Sequence, residues 1–91
     1  MKTRVIFNPL LQEEYDMPAV VDVEGATVGE CLEDLARQFP ESRDFIADNE
    51  SVVRVLVSLN NQEAINLDAE GLGTKLNPGD EIYLIALIAG G

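Results

Sequence analysis

The chain has 91 residues, 46% of them hydrophobic, and carries six Lys and Arg against seventeen Asp and Glu, a formal net charge of -11. That length gives one domain, residues 1–91, which buries roughly 60–65% of the surface its unfolded form exposes, and the apolar content rules against disorder. The acidity repels phosphate backbones and anionic lipid heads, which excludes nucleic acid and membrane surfaces as partners and favours a basic patch on another protein.

One cysteine and no histidine are present. No intrachain disulfide can form, and the commonest metal ligand and general base is missing. No metal is expected. The opening "MKTRVIFNPLLQEEY" has no continuous apolar core of a secretory signal. The longest apolar run, Ile82–Ala89, is far short of the ~20 residues that span a bilayer. The expected location is the cytoplasm.

"TRVIFN" (Thr3–Asn8) is rich in β-branched residues and closed by Pro9, which predicts a strand. "LLQEEYDM" (Leu10–Met17) reads as a connecting loop. "PAVVDVEG" (Pro18–Gly25) predicts a second strand.

A helix follows. Thr27 with Glu30 three residues on forms a capping box, in which Glu30 reaches back to the Thr27 N–H. Val28, Cys31, Leu32, Leu35, Ala36 and Phe39 then recur on one helical face, and Pro40 marks the end. Gly29 costs about 1 kcal/mol against Ala in such a helix, which close packing on a sheet would explain.

"ESRDFIADNES" (Glu41–Ser51) reads as a loop with one turn pinned by Phe45 and Ile46. "VVRVLVSL" (Val52–Leu59) is a strand, Asn60-Asn61 a tight turn tolerating positive φ, and "QEAINL" (Gln62–Leu67) the partner strand. "DAEGLGTKL" is an irregular connection. "NPGD" (Asn77–Asp80) is a β-turn with Pro78 presetting φ and Gly79 free to take φ > 0. "EIYLIALI" (Glu81–Ile88) is the last strand. Its continuous apolarity predicts a central position, partly covered on both faces, with the first strand as a plausible neighbour.

The order β-β-α-β-β-β predicts an α+β fold: a mixed sheet of about five strands with one main helix packed on one face, the β-grasp or ubiquitin-like architecture. Phe7, Val57 and Leu59 are read as core rather than as a patch on the far side of the sheet. One helix cannot cover five strands, so some apolar surface should remain for partners.

"TVGE" (Thr27–Glu30), "FP" (Phe39-Pro40), "PGDEI" (Pro78–Ile82) and the closing "AGG" (Ala89–Gly91) occur in this order. With these motifs the chain resembles the ubiquitin-like sulfur carriers: the molybdopterin-synthase small subunit, the thiamin-pathway carrier and the cysteine-synthesis carrier. The resemblance implies a carrier, not an enzyme. An E1-like adenylyltransferase, using ATP, would activate the Gly91 carboxylate. A sulfur donor would convert it to a thiocarboxylate. A sulfur-accepting enzyme, such as a molybdopterin-synthase large subunit or a cysteine synthase, would take the sulfur. No cofactor would be bound by the chain itself. No proline precedes the closing glycines, unlike the "PPVSGG" type of ending in molybdopterin-synthase small subunits.

The residues support the reading independently. Glycine lacks Cβ, so Gly90 and Gly91 could pass close to enzyme groups and leave the activated carbonyl open to attack. Ala89 lengthens the slim tail. Leu87 and Ile88 would anchor it on apolar partner surface. A frayed end is the plain alternative. A modifier joined to lysines through Gly91, or a module acting without tail chemistry, are the competing functions. Cys31 is read as core. Glu13-Glu14 and Asp80-Glu81 are read as solvated surface. No phosphate-binding loop, nucleophile triad or ligand cluster supports an enzyme.

Overall fold

The computed structural model describes residues 2–43 and 53–88, with 53, 54, 87 and 88 described by their backbone alone. The strands are β1 (Lys2–Phe7), β2 (Val20–Glu24), β3 (Val53–Leu59), β4 (Glu63–Ile65) and β5 (Glu81–Ile88). They form one mixed sheet in the order β2-β1-β5-β3-β4. The central place expected of the last strand is present: β5 runs parallel to β1, the expected neighbour, from Arg4↔Glu81 to Phe7↔Leu84, and antiparallel to β3, from Leu59↔Ile82 to Val53↔Ile88. This is the α+β, ubiquitin-like architecture that the pattern of elements predicts.

Alternation along the strands sorts the two faces. Val5 and Phe7 of β1, Val21 and Val23 of β2, Val57 of β3, Ile65 of β4, and Ile82, Leu84 and Ala86 of β5 point into the core. Tyr83 and Ile85, between them, are half-buried. The apolar run of β5 therefore has full cover on one face and partial cover on the other. Phe7 and Val57 are buried, and Leu59 packs against the core from its rim, as read from the sequence.

The main helix, α2 (Val28–Gln38), buries Val28, Cys31, Leu32, Leu35 and Ala36, the stripe its spacing predicts. Thr27 caps it, its Oγ1 accepting from the Glu30 N–H at 3.2 Å. The reciprocal half of the capping box differs from expectation. The Glu30 carboxylate accepts from the Ala26 N–H at 2.9 Å, one residue earlier than Thr27. Phe39 is the C-cap, its N–H donating to the Leu35 carbonyl at 2.7 Å.

"LLQEEYDM" is not a loop. Pro9–Tyr15 is a helix, α1. Asn8 is its N-cap, accepting from the Leu11 N–H at 3.2 Å. Pro9 occupies the first turn, where its missing N–H costs nothing. Asp16 closes the helix at φ 52, its N–H donating to the Gln12 carbonyl. What drives the segment inward is Leu11, fully buried, with Leu10 and Tyr15 half-buried against the core. Asn8-Pro9 therefore ends the strand by opening a helix.

The connection after β4 also holds a helical turn, α3 (Ala69–Leu72), capped by Asp68, which accepts from the Gly71 N–H at 2.7 Å. α3 explains Gly29. A Cβ there would sit 3.0 Å from the Leu72 carbonyl oxygen, so the close approach is to α3 and not to the sheet. β4 itself is shorter than "QEAINL". Before the undescribed stretch, the Ser42 N–H donates to the Phe39 carbonyl at 2.9 Å and the Arg43 N–H to that of Pro40 at 3.2 Å. The turn expected at Phe45 and Ile46 lies outside the described residues.

Candidate functional site

Two of the residues singled out in the sequence lie at the end of β5. Leu87 and Ile88 are its last two residues, in register with Arg54 and Val53 of β3. Their side chains, and Ala89, Gly90 and Gly91, lie outside the described residues. The structure thus fixes the strand from which the tail departs, in the middle of the sheet.

The start of that strand is held by two turns tied together. Asn77–Asp80 turns with the Asp80 N–H donating to the Asn77 carbonyl at 3.0 Å and Gly79 at φ 89, the positive value the third turn position requires. Across from it, Asn60 and Asn61 hold φ 55 and 56 between β3 and β4, as their tolerance of left-handed backbone predicts. The Asn60 amide bridges the two turns. Its Nδ2 donates to Asp80 Oδ1 at 3.1 Å, and its Oδ1 accepts from the Glu81 N–H at 2.8 Å. Asp80 Oδ2 accepts from the Asn77 N–H at 2.8 Å. The backbone donor of Asn77, then the Asn60 amide, pull the Asp80 carboxyl below its ordinary pKa. Asp80 therefore orders the turn, as read, and the link to Asn60 is a feature the sequence did not reveal.

The sheet face away from α2 divides along β5. At the strand's start it is charged. Lys2, Arg4, Asp22, Glu24 and Glu81 stand there, with Arg4 Nη1 3.9 Å from Glu81 Oε2. Towards the tail it is apolar. Ile6, Leu56, Tyr83 and Ile85 are half-buried, and Val20 beside Ile6 is 47% exposed. Tyr83 Oη donates to Glu81 Oε1 at 3.3 Å, and burial, then the Glu81 charge, raise the phenol's pKa. The leftover apolar surface expected of a five-stranded sheet is therefore this patch, built from residues the sequence reading did not select. Only the alternation of β1 and β5 could have pointed to them.

Cys31 lies wholly inside, where burial pushes its thiol pKa up, and it faces the core as expected. Glu13 and Glu14 are exposed on α1. Among the described residues no group of acids and cysteine is placed to hold a metal ion, and no helix is long and apolar enough to cross a membrane.

The sequence pattern of the ThiS family matches residues 5–91. No curated protein matches. Several solved structures are similar, among them the following three. A chain of the Amycolatopsis orientalis BexX/CysO complex is 22% identical, with a TM-score of 0.72 over 98% of this chain and 99% of that one. Small archaeal modifier protein 1 of H. volcanii is 30% identical, with a TM-score of 0.63 over 92% and 94%. A chain of the complex of subunits 1 and 2 of molybdopterin-converting factor from Helicobacter pylori is 19% identical, with a TM-score of 0.58 over 100% of both.

Proposed function

The chain belongs to the ThiS family of ubiquitin-like sulfur carriers, and from that premise we propose that it carries sulfur as a thiocarboxylate on Gly91 and supplies it to a biosynthetic enzyme. The observation that carries the reading is the family match running to residue 91, through a tail that leaves the central strand of the sheet.

The chemistry divides between partners. In an E1-like adenylyltransferase the Gly91 carboxylate attacks the α-phosphorus of ATP and pyrophosphate leaves. A donor at the sulfide level adds to the resulting acyl adenylate and AMP leaves, giving the thiocarboxylate. A sulfur-accepting enzyme then takes the sulfur into its product, and water restores the carboxylate. The carrier performs no catalysis. Its body is the handle, and the patch of Ile6, Leu56, Tyr83 and Ile85 next to Val20 offers apolar surface beside the tail. Ala89 and Gly90 give slender reach, and Leu87 and Ile88 the anchor. The cytoplasm, where ATP is supplied, is the setting of this reading.

The test is intact-mass spectrometry after incubation with an adenylating enzyme of this type, ATP and sulfide. We expect a mass rise of one oxygen-for-sulfur exchange, abolished by deletion of Gly91. No rise with active enzyme refutes the reading. A second reading has its own support: the 30% identity to small archaeal modifier protein 1. In that case Gly91 forms isopeptide bonds with lysines, and higher-mass conjugates appear instead.

A further inference from the structure

The side of the sheet that carries α2 holds an opening that the tail chemistry does not use. Between α2 and α3 lies a cavity of about 840 Å³. Leu32 and Ala36 of α2, Leu72 of α3 and Leu67 just before it line it with apolar groups. Leu67 is 42% exposed, so the cavity is open to what approaches from outside. Gly29 lines it too, and its missing Cβ is what lets α3 stand this close to α2.

The polar groups of the lining are unevenly placed. Ser42 lies just past α2, wholly buried, and its Oγ has no hydrogen-bond partner. Its N–H is already taken by the Phe39 carbonyl at 2.9 Å. Buried hydroxyls are almost always paired, so this one marks a place for a group that the chain itself does not supply. Thr27 Oγ1 and one oxygen of Glu30 are engaged in capping α2. Glu30 and Glu33 stand exposed on the α2 rim, and Arg43 stands exposed beside Ser42. Two carboxylates against one guanidinium make the rim negative, on a chain of net charge -11.

We propose that this cavity is the docking site of a basic protein, which inserts a tyrosine flanked by arginine or lysine. A phenol ring matches the lining: apolar over its faces and polar at its tip. Its hydroxyl meets Ser42 Oγ, which one turn about χ1 swings between staggered positions. The flanking cations meet Glu30 and Glu33, and Arg43 keeps them to the α2 rim. The attraction expected between this acidic chain and a basic partner thereby gains a location. The site goes beyond the carrier reading, since it uses no residue of the tail. It lies on the α2 side of the sheet, whereas Ile6, Leu56, Tyr83 and Ile85 lie on the other, so a partner held here leaves the tail free to be activated.

An NMR titration of the full chain with the capped tripeptide arginyl-tyrosyl-arginine tests it. Amide shifts are expected in α2, α3 and Ser42. The phenylalanyl peptide binds about fivefold more weakly, the worth of one hydrogen bond, and the alanyl peptide at least about tenfold more weakly. In Ser42→Ala the tyrosyl and phenylalanyl peptides bind alike. The thermal midpoint of that variant holds or rises, because an unpaired buried hydroxyl is removed. Glu33→Gln weakens binding several-fold at low salt and less at about 0.5 M NaCl. Deleting Gly91 leaves the affinity unchanged. Shifts at Ile6, Tyr83 and Ile85 in place of these overturn the site, as does an alanyl peptide that binds as well as the tyrosyl one, or no shift at millimolar peptide. So does a Ser42→Ala chain that loses midpoint or keeps the gap between the two aromatic peptides. Each of these results leaves the carrier reading standing, because that reading is judged on Gly91 alone.

Discussion

Asp80 shows how a single carboxylate organises a junction. Its two oxygens serve different turns, one accepting from Asn77 within its own turn and one from Asn60 on the far side of the hairpin. Both contacts favour the charged form and depress its pKa. The linkage then has one sign. A carboxyl whose folded pKa lies below its unfolded value contributes stability above the unfolded pKa and loses it as pH falls through the folded one. We expect Asp80→Ala to lower the urea midpoint near neutrality, and the gap from the parent protein to narrow as pH drops below about 4. A gap constant with pH would show that the charge plays no part. The turn itself was legible in "NPGD", because Pro and Gly encode backbone angles locally. The partnership with Asn60 was not, because a contact across twenty residues has no local signature.

At the scale of elements, legibility followed periodicity. α2 repeats its apolar stripe over three turns, and its buried face appeared as read. α1 has fewer than two turns, and Leu10-Leu11 give no period to detect. Its start signal, Asn8 followed by Pro9, also ends a strand, so one dipeptide supported both a loop and a helix. Tertiary burial of Leu11 decided between them. If α1 is a core element and not a tether, Leu11→Ala costs about 2–5 kcal/mol by urea denaturation, as for a fully buried leucine. A loss below about 1 kcal/mol would return the segment to a surface role. Similarly, α3 was hidden because a four-residue turn has too little length for a pattern, although Asp68 is a serviceable cap. Gly29 was the visible trace of it, a cost in α2 whose cause stood on another element.

For the whole molecule, the central place of β5 and its neighbour β1 were legible in the apolar run of the last strand, since a strand apolar almost throughout needs cover on both faces, while the rest of the strand order came only from the structure. The division of the open face into charged and apolar halves needed the registers, which set Ile6 beside Tyr83 and Leu56 beside Ile85. The tail chemistry rested on motif resemblance, because glycines carry no side chain from which a role could be read. The net charge of -11 acts on the molecule as one body. Self-repulsion favours expansion and is screened once the Debye length falls below the spacing of the charges. Raising NaCl from about 0.05 to 0.5 M should therefore raise the thermal midpoint by several degrees. A midpoint that stays level or falls would show that the acids are already compensated locally.

The place of β5 between β1 and β3 also sets an order of events on the ribosome. A nascent chain that has emerged only as far as Asp80 holds two hairpins, β1–β2 and β3–β4, with no strand ladder between them among the described residues. Joining the two hairpins into one sheet waits for β5, so the helix has no finished floor to rest on until synthesis of β5 is done.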